Sequence, residues 1–236
     1  MKLRSDVLVR LDRDGTVGSD RHMCRRAWVD NPELISQRKD TREGHDRLLR
    51  GCWPDHPAPP HGTVFEAGKL SVYVEAPVVV WWQATRHRIA SFNLESGRYK
   101  VMEGQFYVVP EERPCTEPAG FKPMRPVLEQ EREANEVARA AQKAAAEYLW
   151  AMYEDQLAVG VAREVARLVL PFSFYYSGYI DMNPRAWLSF FSKRRAGSGS
   201  HPQYEIEQLC VQVESLFAER WPLLYQLFLD KGRAAP

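Results

Sequence analysis

The 236-residue chain is 44% hydrophobic and 27% charged, which suits one sizeable folded domain, or two small ones at most, and excludes a disordered protein. Its 32 basic and 31 acidic residues give a formal net charge of +1, whereas a general nucleic-acid binder carries a marked basic excess. The N-terminus is charged, and the longest apolar run, "APVVVWW", is too short to span a bilayer. We therefore expect a cytoplasmic protein that binds neither nucleic acid nor a membrane.

The first half of the chain predicts short strands separated by helical and proline-rich segments. The predicted elements are a strand over 4–12, partial helix over 20–50, a loop over 52–62, and strands over 69–75 and 104–110. Between the last two strands, Pro77 suits the first position of a short buried helix that ends near residue 86.

Apolar residues that recur at helical spacing predict one long helix over 128–157. These residues are Val137, Ala141, Ala144, Tyr148 and Met152. The segments that follow are predicted to alternate between helix, strand and loop. They are a helix over 161–170 that Pro171 ends, a β-prone stretch over 172–180, a helix that Asn183 caps and that runs from Pro184 to about Arg194, a flexible loop over 195–200, and an amphipathic helix over 202–217. This mixed order predicts the α+β class, with an antiparallel or mixed sheet flanked by helices.

The four cysteines have no spacing typical of a metal site. Cys24, Cys52, Cys115 and Cys210 form no CxxC pair, and no short cluster of cysteine and histidine has zinc-ligand spacing. None of the four has an adjacent histidine that could activate it. We expect reduced thiols and no bound metal.

The segment "RHRIASFNLESGRY" (86–99) concentrates arginine, hydroxyl and glycine residues. If the preceding helix continues, Gln83, Arg86 and His87 share one of its faces. Arginine offers a rigid fork of donors to phosphate, and Gly97 would let backbone N–H groups approach an anion. The segment therefore predicts a phosphate ligand, although a solvated turn with surface arginines is the alternative.

Several collinear segments carry a resemblance to a known family. In 86–99, Arg-His-Arg is followed by seven residues and Ser96, and Gln83 lies three residues before the motif. The other matching segments are "HGTVFE" (61–66), "REVARLVLP" (163–171), "NPRAW" (183–187) and "HPQYEI" (201–206). Together they resemble the signature of flavin-dependent thymidylate synthases.

The resemblance implies an enzyme that converts dUMP to dTMP. Members of the family take the one-carbon unit from methylenetetrahydrofolate and hydride from NADPH by way of bound FAD. They are homotetramers whose active sites are shared between subunits. The resemblance is clearest over 61–220, and we expect residues 1–236 to form a single domain of this kind.

The resemblance also implies roles for individual residues. The residues expected to bind FAD are Thr63, Arg86, His87, Arg88, Asn183 and Arg185. Those expected to bind dUMP are Gln83, Arg86, Ser96, Gly97, Arg98, Arg167 and Arg194. Arg194 is the expected catalytic residue, because it would contact the uracil ring and favour its ionised form. A flavin that delivers hydride removes the need for a cysteine nucleophile.

Two of these arginines have other interpretations when they are read from the residues alone. Arg194 continues an aromatic stripe on its helix and could instead extend along the helix end into solvent. Arg167 lies three residues after Glu164 and four after Arg163, a spacing typical of a helix-surface ion pair. Both interpretations stay open at the level of sequence.

The chain departs from the family pattern at four places, one of which is "RRAWVD" (25–30), which only loosely resembles the family's Ala-Arg-x-Ser segment. Leu94 and Ser189 stand where many relatives carry longer polar side chains, and the 195–200 link is longer than usual. Two rival functions remain. One is a nucleotide- or RNA-binding module without redox chemistry, and the other is a flavoprotein of the same fold with altered activity.

Overall fold

The computed structural model describes residues 1–28, 33, 40–55, 59–113, 115 and 128–236, with side chains from residue 132 onward in the last range. The strands are β1 (Lys2–Arg4), β2 (Leu8–Val17), β3 (Lys69–Pro77), β4 (Ser91–Leu94), β5 (Gln105–Tyr107) and β6 (Tyr175–Met182). The helices are α1 (Asp20–Ala27), α2 (Arg42–Cys52), α3 (Val78–Ala84), α4 (Leu128–Ala158), α5 (Arg163–Ala166), α6 (Pro184–Arg194), α7 (Tyr204–Arg220) and α8 (Pro222–Asp230). Parts of the predicted 20–50 helix and 52–62 loop lie outside the described residues.

The strands form two sheets, and the α+β class is confirmed. The larger sheet has the strand order β2-β3-β6-β4, while β1 and β5 pair in parallel, with Leu3 opposite Phe106. On β3, Leu70, Val72 and Val74 are fully buried, as their alternation predicts.

The chain divides into two compact units. The first unit comprises Met1–Leu8, Glu75–Ala84 and Leu94–Gly178. Its core gathers around α4, where Tyr153 is fully buried in a cluster with Met102, Phe106 and Phe174. Trp150 adds a ring 6.0 Å from that of Phe106.

The second unit comprises Val9–Val74, Thr85–Asn93 and Tyr179–Pro236. Its core is aromatic, because α6, α7 and α8 each bury large rings. The fully buried aromatic residues of these helices and of the α7–α8 junction are Trp187, Phe190, Phe191, Phe217, Trp221 and Phe228. This packing fixes α6, on which the expected catalytic arginine lies, within the unit.

Helix α3 is shorter than predicted, and it starts one residue later. Pro77 is the last residue of β3, and the helix ends at fully buried Ala84, after which Thr85 and Arg86 are exposed. A two-turn helix with three consecutive valines is held by packing rather than by propensity, so it ends where burial ends. The prediction that Gln83, Arg86 and His87 share one helical face is therefore wrong.

The long helix is confirmed as α4, but the residues that predicted it do not form its buried face. Val137 and Tyr148 are 64% and 67% exposed, whereas Ala146 and Tyr153 are buried. The apolar residues that recur at helical spacing therefore lie mostly on a face of α4 that is exposed in this chain. The predicted 161–170 helix is also shorter, because α5 is followed by a 3-10 turn and Leu170 is extended before Pro171.

Candidate active site

Helix α6 carries the expected catalytic arginine at its C-terminal end. Asn183 caps the helix as predicted, since its side-chain oxygen accepts a hydrogen bond of 2.8 Å from the Ala186 amide, and Pro184 occupies the first turn. The rings of Trp187 and Phe190 are fully buried. The cap and the buried rings determine where the last turn, with Arg194, lies.

The structure brings Arg194 against the histidine of the Arg-His-Arg motif. The Arg194 Nε donates a hydrogen bond of 3.2 Å to His87 Nε2, and the His87 ring lies 4.6 Å from that of Phe190. Burial, and then the charges of Arg194 and Lys193, lower the pKa of His87 to about 4. The imidazole is therefore neutral near pH 7 and accepts through Nε2, which assigns its proton to Nδ1.

Positive charge is concentrated around this contact. Burial, and then the neighbouring Arg86 charge, lower the pKa of Arg194, although an arginine stays protonated at any physiological pH. The neutral His87 does not add to the repulsion between the two guanidinium groups. A half-buried cation beside an aromatic ring is suited to stabilise an anion on a bound ligand.

The pKa of His87 makes stability depend on pH. Because its folded-state value of about 4 lies below the ordinary 6.5, the unfolded chain binds more protons between these values. The associated stability is therefore lost as the pH falls from 6.5 through about 4. We expect the melting temperature to fall between about pH 7 and about pH 5 by more in the wild type than in His87→Asn, which has no such proton. Equal falls in both proteins would contradict this assignment.

The second unit also contains a cavity of about 810 Å³ around Asn183 and Arg185. The Arg185 guanidinium bonds to Glu66 Oε1 at 2.8 Å and to the Pro236 backbone oxygen at 3.0 Å. A Cβ on Gly62 would lie 2.4 Å from the same guanidinium, so the guanidinium occupies the space that a side chain at position 62 would need. The remaining lining includes Ser189, Ser192, Lys193 and Ser198.

These residues fit an anionic, partly aromatic ligand such as a flavin dinucleotide. The cavity volume lies in the range of small-molecule sites, and Arg185 and Lys193 supply positive charge at its wall. Thr63 and Arg88, which are also expected flavin residues, are exposed in the same unit.

The first unit contains the other expected substrate-binding residues, Gln83, Ser96, Gly97, Arg98 and Arg167. Gly97 is buried, and a Cβ on it would meet Met102 Sδ at 2.9 Å and Arg167 Cδ at 3.1 Å. The Ser96 hydroxyl accepts a hydrogen bond of 3.3 Å from the Arg98 amide. Gly97 and Arg167 are thus brought together, and Arg167 also lines a cavity of about 210 Å³.

The interpretation of Arg167 as one member of a helix-surface ion pair is wrong. Glu164 instead accepts a hydrogen bond of 2.7 Å from Arg98 Nε, and Arg163 donates to the Tyr99 carbonyl at 2.7 Å. The reason is that α5 is a single turn, so these side chains reach the 96–100 turn rather than each other. Arg167 and Tyr176 line the same cavity, where burial raises the pKa of the tyrosine and the Arg167 charge opposes that rise.

Glu95, the residue after Leu94, has both of its carboxylate oxygens engaged. Its Oε1 accepts hydrogen bonds from the Ser177 amide at 2.8 Å and from the Ser177 hydroxyl at 3.1 Å. Its Oε2 pairs with the Lys100 ammonium at 2.5 Å. Glu95 is therefore committed to holding β4 and β6 together, and Leu94 beside it is a half-buried apolar residue.

Changing Gly97 to alanine tests how closely Arg167 must approach it. The new methyl group would overlap Met102 and push the Arg167 stem away, so we expect the KM for dUMP to rise roughly ten-fold. Gly51→Ala is the matched control, because a Cβ there meets no atom within 4 Å. A steady-state titration with dUMP measures both. An unchanged KM for Gly97→Ala would separate this glycine from substrate binding.

Sequence reasoning missed two charged residues of this region. Glu66, which holds Arg185, is the last residue of the "HGTVFE" segment, so its motif could have pointed to it. Lys193 lines the cavity beside Arg185, and its only signal is its place next to Arg194.

Two kinds of feature can be checked in the described part of the chain, namely clusters of metal-ligating side chains and membrane-spanning helices. Within it, no group of three or more His, Cys, Asp or Glu residues could hold a metal ion. No helix in the same ranges has the length and apolar character needed to cross a membrane.

The fold is of the α+β class, and each unit contains a cluster of arginine residues, as expected of a protein that binds anionic ligands. The family model described as thymidylate synthase complementing protein matches residues 9–223. The flavin-dependent thymidylate synthase of Streptomyces coelicolor is 32% identical, over 100% of this chain and 96% of its own length, and that of Tropheryma whipplei is 36% identical over 75% of each chain. The chain therefore belongs to the family of flavin-dependent thymidylate synthases.

Solved structures agree with this membership. Two crystal structures of the UMP/dUMP methylase PolB from Streptomyces cacaoi are 30% identical to this chain and cover all of it. The one bound with 5-Br UMP has a TM-score of 0.85, with 99% of that chain covered. The one bound with 5-Br dUMP has a TM-score of 0.87, with 100% covered.

Proposed function

We propose that this protein is a flavin-dependent thymidylate synthase that methylates dUMP to dTMP. The one-carbon unit comes from methylenetetrahydrofolate, and NADPH supplies the hydride, so that tetrahydrofolate and NADP⁺ are the other products. The observation that carries the proposal is the contact between Arg194 and His87, which joins the end of α6 to the Arg-His-Arg motif. Membership of the family indicates the reaction, and this contact is proposed to take part in it.

The cysteines support a mechanism without a thiolate nucleophile. Burial, followed by the charge of Asp20, raises the pKa of Cys24 to about 12. Burial also raises the pKa of Cys52, and it is the largest cause of the raised pKa of Cys210. A nucleophilic cysteine needs the opposite shift. When FAD is bound, it supplies the hydride chemistry that makes such a nucleophile unnecessary.

In this mechanism the residues of the chain bind the nucleotide, orient it and stabilise the ionised form of its base. Arg194 places its guanidinium beside the uracil ring and stabilises the ionised form of the base. Ser96, Gly97, Arg98 and Arg167 bind the nucleotide, the arginines through its phosphate, and Gln83 and Arg86 complete the set. The observed approach of Gly97 to Arg167 supports this assignment.

The flavin is held by residues of the second unit. Its expected ligands are Thr63, Arg86, His87, Arg88, Asn183 and Arg185. The cavity beside Asn183 and Arg185, and the space that Gly62 leaves for the Arg185 guanidinium, support this set. The neutral His87 presents an aromatic ring, which suits a planar ligand better than an imidazolium would.

We also propose that the enzyme is a homotetramer with shared active sites and that residues 1–236 work as one domain. The match of the family model across both units supports the single domain. The exposed apolar side chains of α4, together with Leu168 at 76% and Phe172 at 57% exposure, support association. The cytoplasm, where NADPH and folates are available, is the proposed location.

An absorbance spectrum of the purified protein, recorded with and without dUMP, tests flavin and nucleotide together. We expect a yellow protein whose flavin bands shift when dUMP is added. A colourless protein that FAD cannot reconstitute would contradict the proposal, and salt-dependent RNA binding in that case would favour the nucleic-acid module. Flavin binding with NADPH oxidation that is independent of dUMP would indicate altered activity.

A second candidate substrate is UMP, because the solved neighbours are methylases of both UMP and dUMP. Parallel assays at equal concentrations of UMP and dUMP measure the ratio of kcat/KM. A large preference for UMP would replace dUMP as the proposed substrate.

A further inference from the structure

The residue that follows Arg194 is fixed by an extended set of contacts. Arg195 is the first residue beyond α6, and its backbone is extended, with φ −113° and ψ 128°. Its guanidinium pairs with Glu207 Oε1 at 2.7 Å and with Glu214 Oε2 at 3.3 Å. The hydroxyl groups of Ser198 and Ser200 donate to its carbonyl oxygen at 2.6 Å and 3.2 Å.

Glu207 holds the backbone as well as the side chain of this junction. Its Oε1 also accepts a hydrogen bond of 2.9 Å from the Ala196 amide. Glu207 and Glu214 lie seven residues apart on α7, so one face of that helix presents both carboxylates. The junction between α6 and the 195–200 segment is therefore anchored to a helix whose own core residues, such as Leu209 and Val213, are fully buried.

The contacts that fix Arg195 and Ala196 also restrict where the Arg194 side chain can lie. The side-chain direction of the last residue of a helix depends on the dihedral angles at that residue and on the path of the next one. With Arg195 and Ala196 fixed, the Arg194 guanidinium stays against His87, where its Nε bonds to Nε2. Without the anchor, the last turn of α6 is free to fray, and frayed ends move within the final turn.

We propose that Glu207 is a positioning residue: through Arg195 and Ala196 it holds the Arg194 guanidinium in the geometry that catalysis requires. The inference rests on the proposed function, since it assigns the catalytic role to Arg194. The contacts of Glu207 with Arg195 and Ala196 lie at the junction that follows α6, so its effect on the reaction is expected to pass through the end of that helix.

Glu207 is a better probe of this anchor than Glu214. Glu214 is the more buried of the two and also accepts hydrogen bonds from Tyr225 and from Arg233. Removing it would leave several partners unsatisfied and would destabilise the whole second unit. Glu207 is half-buried, and its partners belong mainly to the 195–196 junction.

The test compares Glu207→Ala, Glu207→Gln and a control, Glu219→Ala, whose exposed carboxylate lies on the same helix. We expect Glu207→Ala to lower kcat roughly 10- to 100-fold, with the KM for dUMP and the flavin content within about two-fold of wild type. Glu207→Gln keeps the oxygen that accepts from Ala196, so it should recover part of kcat. If the alanine variant does not fold, the kcat of Glu207→Gln is compared with that of the wild type instead.

A second measurement reads the geometry without turnover. Arg194 and Lys193 are the charged groups that lower the pKa of His87, and the ring packs on Phe190. In Glu207→Ala the displaced guanidinium should let the His87 pKa, measured by NMR titration, rise by roughly half a unit or more. A kcat within two-fold of wild type, or a lost kcat with an unchanged His87 pKa, would overturn the proposal. A wild type that forms no dTMP would refute the proposed function instead, while the titration still tests the positioning.

Discussion

Replacing Arg194 with alanine is expected to lower the rate of dTMP formation by about 100-fold or more, with flavin still bound. The guanidinium is the cation that the structure holds beside His87 at the end of α6, half-buried and close to Arg86. Without it, the ionised uracil ring would lose its stabilising charge. The flavin residues Thr63, Asn183 and Arg185 would be untouched. His87 would lose its hydrogen bond from Arg194 but keep its packing on Phe190, so flavin content should stay near that of the wild type.

Single-turnover assays of dTMP formation measure this effect, and two further variants sharpen it. Arg194→Lys keeps the charge but loses the planar fork, so an intermediate rate is expected. Arg220→Ala, at the exposed end of α7, is the matched control and should be fully active. Turnover of Arg194→Ala within about three-fold of wild type would remove Arg194 from the reaction.

The largest expected loss of stability follows replacement of Phe191 with alanine. Phe191 is fully buried, and its ring contacts those of Phe217 at 5.3 Å, Trp187 at 5.9 Å and Phe228 at 6.4 Å. Removing a ring from such a cluster leaves a cavity that the neighbouring rings cannot fill. We expect the free energy of unfolding to fall by about 3–5 kcal/mol.

Thermal unfolding measures this loss, which corresponds to a fall in melting temperature of roughly 6–20 °C for a chain of this size. Val17→Ala is the comparison, because Val17 is 53% exposed in the same unit and its loss should cost below about 1 kcal/mol. Equal losses in the two variants would show that the aromatic cluster does not dominate the stability of the second unit.

Local sequence signals predict the elements that are fixed by local chemistry. The cap by Asn183 and the start at Pro184 identify α6, because both act within one helical turn. The alternation of Leu70, Val72 and Val74 identifies β3 for the same reason. The motif segments also identify the family, and with it the residues that are proposed to act.

Features fixed by packing could not be predicted in this way. Nothing in the sequence near Ala84 shows that burial ends there. The sequence therefore predicts a helix that ends near residue 86, whereas α3 ends at Ala84 and Arg86 lies outside it. On α4, apolar residues at helical spacing can mark either a face that packs within the chain or a face that is exposed. The spacing alone does not distinguish the two. The pairing of Arg98 with Glu164 spans 66 residues, and Glu207 acts through a neighbour of Arg194.

The most direct test of the central claim is dTMP formation in a complete mixture and in mixtures that lack one component at a time. The complete mixture contains the protein, FAD, dUMP, methylenetetrahydrofolate and NADPH. We predict that dTMP forms there, that omitting any substrate abolishes it, and that protein stripped of FAD recovers activity only when FAD is returned. A complete mixture that yields no dTMP, or one that yields it equally well from flavin-free protein, would contradict the assignment of this chain as a flavin-dependent thymidylate synthase.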